Sequence, residues 1–98
     1  MIDRKTVLEQ IRGRLIVSCQ ALPEEAMYSA EYPIMQHFAR AAQRGGAGGI
    51  RANSVRDIRA IRAEVALPVI GIIKRKYGDY PVCITPTLRE VEELAETG

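Results

Sequence analysis

Three side chains in this sequence could do chemistry together: Gln20, Arg51 and Lys74. Each ends a short apolar run. The runs are Leu15-Ile16-Val17-Ser18-Cys19-Gln20, Gly48-Gly49-Ile50-Arg51 and Val69-Ile70-Gly71-Ile72-Ile73-Lys74. A lysine amine at an apolar mouth can act as a general base if burial and nearby cations draw its pKa from ~10.4 toward ~7–8. Arg51 and Arg75 are the candidate neighbouring cations. The planar fork of Arg51 suits an oxyanion or a pair of sugar hydroxyls. Gln20 offers a donor and an acceptor without adding charge. The set reads as a small-molecule site.

Each of these residues also has a plainer role open to it. Most lysines are solvated surface groups, and only the position directly after an apolar strand singles out Lys74. Arg51 is equally readable as the partner of an acid on a neighbouring loop, and Gln20 as a strand-end cap. His37, beside Phe38, reads as a partly exposed helix residue and Cys19 as core filling. Glu24-Glu25 and the set Glu92, Glu93 and Glu96 read as solvated.

The elements that must position the three follow from periodicity. A short helix over 4–12 starts at the Asp3 cap and ends at Gly13. Strand one covers Leu15–Cys19, and a loop with Pro23 follows. Helix one runs from about Tyr32 to Arg44, with Pro33 in its first turn and Ile34, Met35, Phe38, Ala41 and Ala42 as the buried stripe. Strand two is Gly48–Arg51. Ser54 and Asp57 then open helix two, which carries Val55, Ile58, Ile61 and Val65 at helical spacing. Strand three is followed by a long loop, an extended piece over 82–85, and helix three behind a Thr87–Glu90 capping box. Strand-then-helix three times over predicts an α/β fold with a parallel sheet. In such sheets working groups gather at the carboxyl ends of the strands, so Gln20, Arg51 and Lys74 are expected side by side on one rim.

Composition narrows the classes. The chain has 98 residues, enough for one domain, with 47% hydrophobic and 27% charged residues and a net charge of +2. Aromatic residues make up only 5% and tryptophan is absent, which argues against base-stacking nucleic-acid binding. No apolar stretch is long enough to span a bilayer, and no secretion signal is legible at the start. Cys19 and Cys83 form no metal-type pair, so reduced thiols in a cytoplasm are expected.

Four blocks carry a resemblance: Leu15 to Ala21 (LIVSCQA), Gly45 to Asn53 (GGAGGIRAN), Pro68 to Arg75 (PVIGIIKR) and Ile84 to Glu90 (ITPTLRE). Together, and in this order, they resemble the N-acylmannosamine-6-phosphate 2-epimerases. That resemblance implies a (β/α)8 barrel acting in bacterial amino-sugar and sialic-acid breakdown, without metal or redox cofactor. Its substrate would be a phosphorylated N-acyl amino sugar. It matches Lys74 to the family's lysine of proton transfer at C2, and Gln20 and Arg51 to residues that contact the sugar. The family's second acid/base, a glutamate, and its phosphate-binding turns belong to later strands and have no counterpart here.

The resemblance therefore makes residues 1–98 the N-terminal part of one barrel domain: a helix, then the first three βα units. The expectation is an isolated chain that is inactive and, with one sheet face and both edges open, self-associating. Two alternatives remain at this point, another phosphosugar barrel isomerase and a non-catalytic half-barrel assembly module.

Overall fold

The computed structural model describes residues 3–98. Its elements are α1 (Arg4–Ile11), β1 (Ile16–Cys19), α2 (Met35–Arg44), β2 (Gly49–Asn53), α3 (Val55–Glu64), β3 (Val69–Ile72) and α4 (Leu88–Ala95). The three strands form one parallel sheet in the order β1-β2-β3. Each returns to the same end through a helix, as parallel pairing requires.

Side-chain alternation decides which face of the sheet is buried. Val17 lies opposite Ile50, and Ile50 opposite Val69; Cys19 lies opposite Ala52, and Ala52 opposite Gly71. Val17, Cys19, Ile50, Ala52 and Val69 all pack with Met35 and Ala39 of α2 and Ile58 and Ile61 of α3. This is the helix-covered face. Ile50, Ile58 and Ile61 are wholly buried there, each worth roughly 1.5–3 kcal/mol of transfer free energy. A Cβ at Gly71 would come within 2.9 Å of Ile58 Cδ1 and 3.4 Å of Leu94 Cδ2. A glycine here lets side chains of α3 and α4 rest directly on β3.

The other face carries Ser18, Arg51 and Ile70 in one row and Asn53 and Ile72 in the next. No helix covers this row: Ser18 is exposed and Ile70 is 45% exposed.

Several local expectations shift. Helix α2 begins at Met35 rather than Tyr32; Ile34 is its cap and gives no side-chain hydrogen bond, and Pro33 lies outside. Its buried residues are Met35 and Ala39, whereas Phe38 and Ala41 are exposed, because the stripe faces β1 and β2 on one side only. Strand β2 continues two residues beyond Arg51, to Asn53, since Ala52 and Asn53 still pair with β3. The piece over 82–85 contributes one isolated antiparallel bridge, Lys74 to Ile84, and no strand of its own. The Thr87–Glu90 capping box forms as read. At Ser54 only half a box forms: Ser54 Oγ accepts from the Asp57 N–H at 3.3 Å, while the Asp57 carboxylate pairs with Arg56 at 3.0 Å.

Candidate active site

Arg51 is not on the rim with the other two. It stands in mid-strand, opposite Ser18 and Ile70. Gln20 follows the end of β1 and falls, by the same register, level with Asn53. Lys74 lies two residues past the end of β3. The next residue, Arg75, reaches α4. Arg51 and Gln20 therefore lie on successive rungs of the face opposite the helices, and Lys74 lies beyond the end of β3. Lys74 is four residues, about 13 Å of strand, beyond the level of Arg51. Among the described residues no hydrogen bond or ion pair joins them, so any contact among them would run through a bound molecule.

Arg51 and Lys74 are open to such a contact. Arg51, half-buried, has no ion-pair partner among the described residues, so the loop-acid role does not materialise. Gln20 Nε2 donates to Ser18 Oγ at 3.0 Å, and its carbonyl oxygen is buried without a partner. An unpaired buried acceptor costs about 1–3 kcal/mol. Lys74 is exposed, against the expectation of burial at an apolar mouth, because it lies past the end of β3, and it forms no salt bridge among the described residues.

Arg75 was expected to be a second cation beside Lys74. It is ion-paired instead: its Nη1 lies 2.6 Å from Glu90 Oε2 and 2.9 Å from Glu93 Oε2. Glu90, Tyr77 and Glu93 raise its pKa. Glu93 is accordingly an ion-pair partner rather than a solvated helix residue. Burial would push the Glu90 carboxyl up, but hydrogen bonds from Thr87, Tyr77 and Arg75 outweigh it and hold the pKa at about 2.

The local backbone is tightly specified. Asn53 is buried, and its Oδ1 accepts the Lys74 N–H at 2.8 Å. Ser54, immediately after, has φ +79°, unusual for a residue with a side chain. It is held there by its N–H to Ile72 O at 3.0 Å and by capping α3. Thr85, also at positive φ, donates its N–H to Ile73 O and accepts the Ile73 N–H on Oγ1. Strain of this kind gathers at functional sites when surrounding contacts enforce it.

A cavity of about 280 Å³ opens beside these residues, lined among others by Leu22, Tyr28, Asn53, Arg56 and Lys74. The β1–α2 loop forms one wall. Arg56 ties it down, donating to Ser29 O at 2.8 Å and lying 5.0 Å from the Tyr28 ring centroid. Sequence reading missed Asn53 as a support for Lys74. The signal was an amide residue closing strand two inside the GGAGGIRAN block, but its target is a backbone group on another strand. His37 is exposed, as expected, and Cys19 is buried, with its thiol pKa pushed up by burial. Among the described residues, no cluster of three or more His, Cys, Asp or Glu could hold a metal, and no helix is long and apolar enough to cross a membrane.

A parallel α/β sheet with polar side chains just past the carboxyl ends of β1 and β3, at Gln20 and Lys74, has the layout of α/β proteins that bind ligands at strand ends. The sequence pattern of a family described as "Putative N-acetylmannosamine-6-phosphate epimerase" matches residues 35–98, and the chain belongs to that family. A relative from Listeria innocua, bearing the 2-epimerase form of that name, is 57% identical over 93 residues, covering 95% of this chain and 39% of its own length. One from Enterobacter sp., named alike, is 58% identical over 90 residues, covering 92% of this chain and 37% of itself. The solved N-acetylmannosamine-6-phosphate 2-epimerase of Clostridium perfringens superposes with a TM-score of 0.88 at 46% identity, over 98% of this chain and 41% of that one. The chain thus spans about two-fifths of the length of these relatives.

Proposed function

We propose that this chain supplies the proton-transfer lysine and two substrate contacts of an N-acylmannosamine-6-phosphate 2-epimerase. Such an isomerase interconverts N-acetylmannosamine 6-phosphate and N-acetylglucosamine 6-phosphate. The observation that carries the reading is Lys74, exposed two residues past the end of β3, inside the segment that matches the family. Residues 1–98 are, in this reading, the N-terminal helix and first three βα units of a single (β/α)8 domain working in a cytoplasm. The parallel order of β1, β2 and β3 and the two free cysteines, Cys19 and Cys83, support it.

The chemistry follows from what each group can hold or move. The open-chain sugar has an aldehyde at C1, which makes the C2 proton acidic. Lys74 acts as the base that takes that proton; the C2–H electron pair becomes the C1–C2 double bond and the carbonyl π pair moves to the C1 oxygen. Arg51 stabilises the resulting enolate with its guanidinium fork. Gln20, whose amide is held against Ser18 just past β1, contacts the sugar and helps orient it. Return of a proton to the opposite face of C2 completes the inversion with no change of oxidation state. By family resemblance that second proton is handled by a glutamate outside these 98 residues, so the isolated chain is expected to be inactive.

The test uses a chimera: residues 1–98 fused to the part of the Listeria innocua relative that they do not match. In deuterated water it should exchange the C2 proton of N-acetylmannosamine 6-phosphate. Lys74→Ala should abolish that exchange and still bind the phosphosugar. Exchange at the parent rate in Lys74→Ala would remove Lys74 from the mechanism.

A further inference from the structure

Strand β3 ends at Ile72, so its ladder no longer fixes which way Lys74 turns. The contacts that do are on the chain just beyond it. Glu90, in the first turn of α4, is wholly buried, yet it is a carboxylate. Its Oε2 accepts from Arg75 Nη1 at 2.6 Å and from Tyr77 Oη at 2.6 Å. Its Oε1 accepts from the Thr87 N–H at 3.0 Å and from the Thr87 hydroxyl. Two donors thus come from the segment after β3, and two from the cap of α4. The carboxylate joins the residue immediately following Lys74 to a helix on the far side of the sheet.

We propose that Glu90 is a positioning residue for Lys74. By drawing Arg75 and Tyr77 onto α4, it anchors the backbone immediately after Lys74 and so fixes where Lys74 is held. This rests on the reading of Lys74 as the proton-transfer group. The Asn53 contact to the Lys74 N–H and the pairing of Arg75 N–H to Cys83 O at 2.9 Å fix the height of the segment; Glu90 fixes its rotation. A plain capping box needs only the Thr87 contacts. The two extra donors, and the complete burial of the charge, are what a cap alone leaves unexplained.

The experiment has two arms. On the 98-residue chain, amide hydrogen exchange reads the strap directly. Glu90→Gln should speed exchange at the Lys74 and Arg75 amides by about tenfold or more, while the core amides of Ile50 and Ile61 stay within about twofold. A uniform rise at all four would overturn the proposal, because it would mark Glu90 as general packing. In the chimera, Glu90→Gln should lower kcat about tenfold and leave KM within about twofold, since a small misplacement of the reacting amine spares binding. Tyr77→Phe should move both readouts the same way by less. It keeps the Arg75–Glu90 ion pair and serves where Glu90→Gln does not fold. Unchanged kcat in both variants, with Lys74→Ala inactive, would overturn the positioning role alone. Parent-like exchange by Lys74→Ala would instead overturn the role of Lys74.

Discussion

The side-chain oxygen of Asn53, at the end of β2, accepts the backbone N–H of Lys74 at 2.8 Å. One strand thereby holds the first free backbone donor beyond its neighbour. Asn53→Ala removes the acceptor and should cost about 1 kcal/mol, the usual net value of such a bond. Asn53→Asp keeps an acceptor and should cost less. Denaturant midpoints of the three proteins give the order. An Asn53→Ala midpoint equal to the parent would mean that the bond contributes nothing to the fold.

Arg51 stands one row below Gln20 with no ion-pair partner among the described residues. A residue kept for packing would tolerate lysine, whose aliphatic stem is similar. A residue that grips an oxyanion through two parallel N–H donors would not. In the chimera, Arg51→Lys should lower kcat/KM by about tenfold, the worth of roughly one charge-assisted hydrogen bond. Its melting temperature should stay close to that of the parent. Parent-like kinetics would make Arg51 a structural residue.

Much of this was legible from residue pattern. The runs ending at Gln20 and Lys74 identified the strands, because β-branched apolar residues between helical periods have few other solutions. The Thr87–Glu90 spacing gave the start of α4. What stayed hidden depends on groups far apart in sequence. Glu90 reads as a cap until Arg75 and Tyr77 are seen against it, 15 and 13 residues away. Phe38 fits the helical stripe of α2, yet it is 40% exposed; periodicity names a face, not its cover. Arg51 seemed to end its strand because a charge after Gly-Gly-Ile looks like a boundary. The uncovered face of β2 lets a polar residue sit in mid-strand.

Glu90 also sets a pH dependence with a definite sign. Its pKa is held at about 2 in the folded chain, against a reference of 4.5. A depressed carboxylate contributes stability that is fully present above its unfolded pKa and is lost as pH falls toward the folded one. The parent should therefore be more stable than Glu90→Gln at pH 6, and the gap should close between about pH 4.5 and 2. Asp3, lowered by the Thr6 hydroxyl and the Lys5 N–H, acts in the same direction but is common to both proteins. Thermal melts across this range check it. A gap that stays constant to pH 2 would show that the variant fails through shape rather than charge.

The last prediction concerns the uncovered face. Parallel sheets are normally covered on both sides, and here one row is bare: Ser18, Arg51 and Ile70, the last 45% exposed. Leu15, just before β1, is 71% exposed, and Phe38 is 40% exposed. Strands β1 and β3 are sheet edges, and edges with free backbone groups recruit other chains. Covering a few hundred Å² of apolar surface returns several kcal/mol at about 25 cal/mol per Å², enough to offset part of the cost of association. The 98-residue chain should therefore sediment as dimers or larger species at micromolar concentration. Ile70→Lys, which puts a charge in the middle of the bare row, should shift it toward monomer without lowering its melting temperature. A parent chain that is already monomeric and melts cooperatively would show that the uncovered row is tolerated in water and drives no assembly.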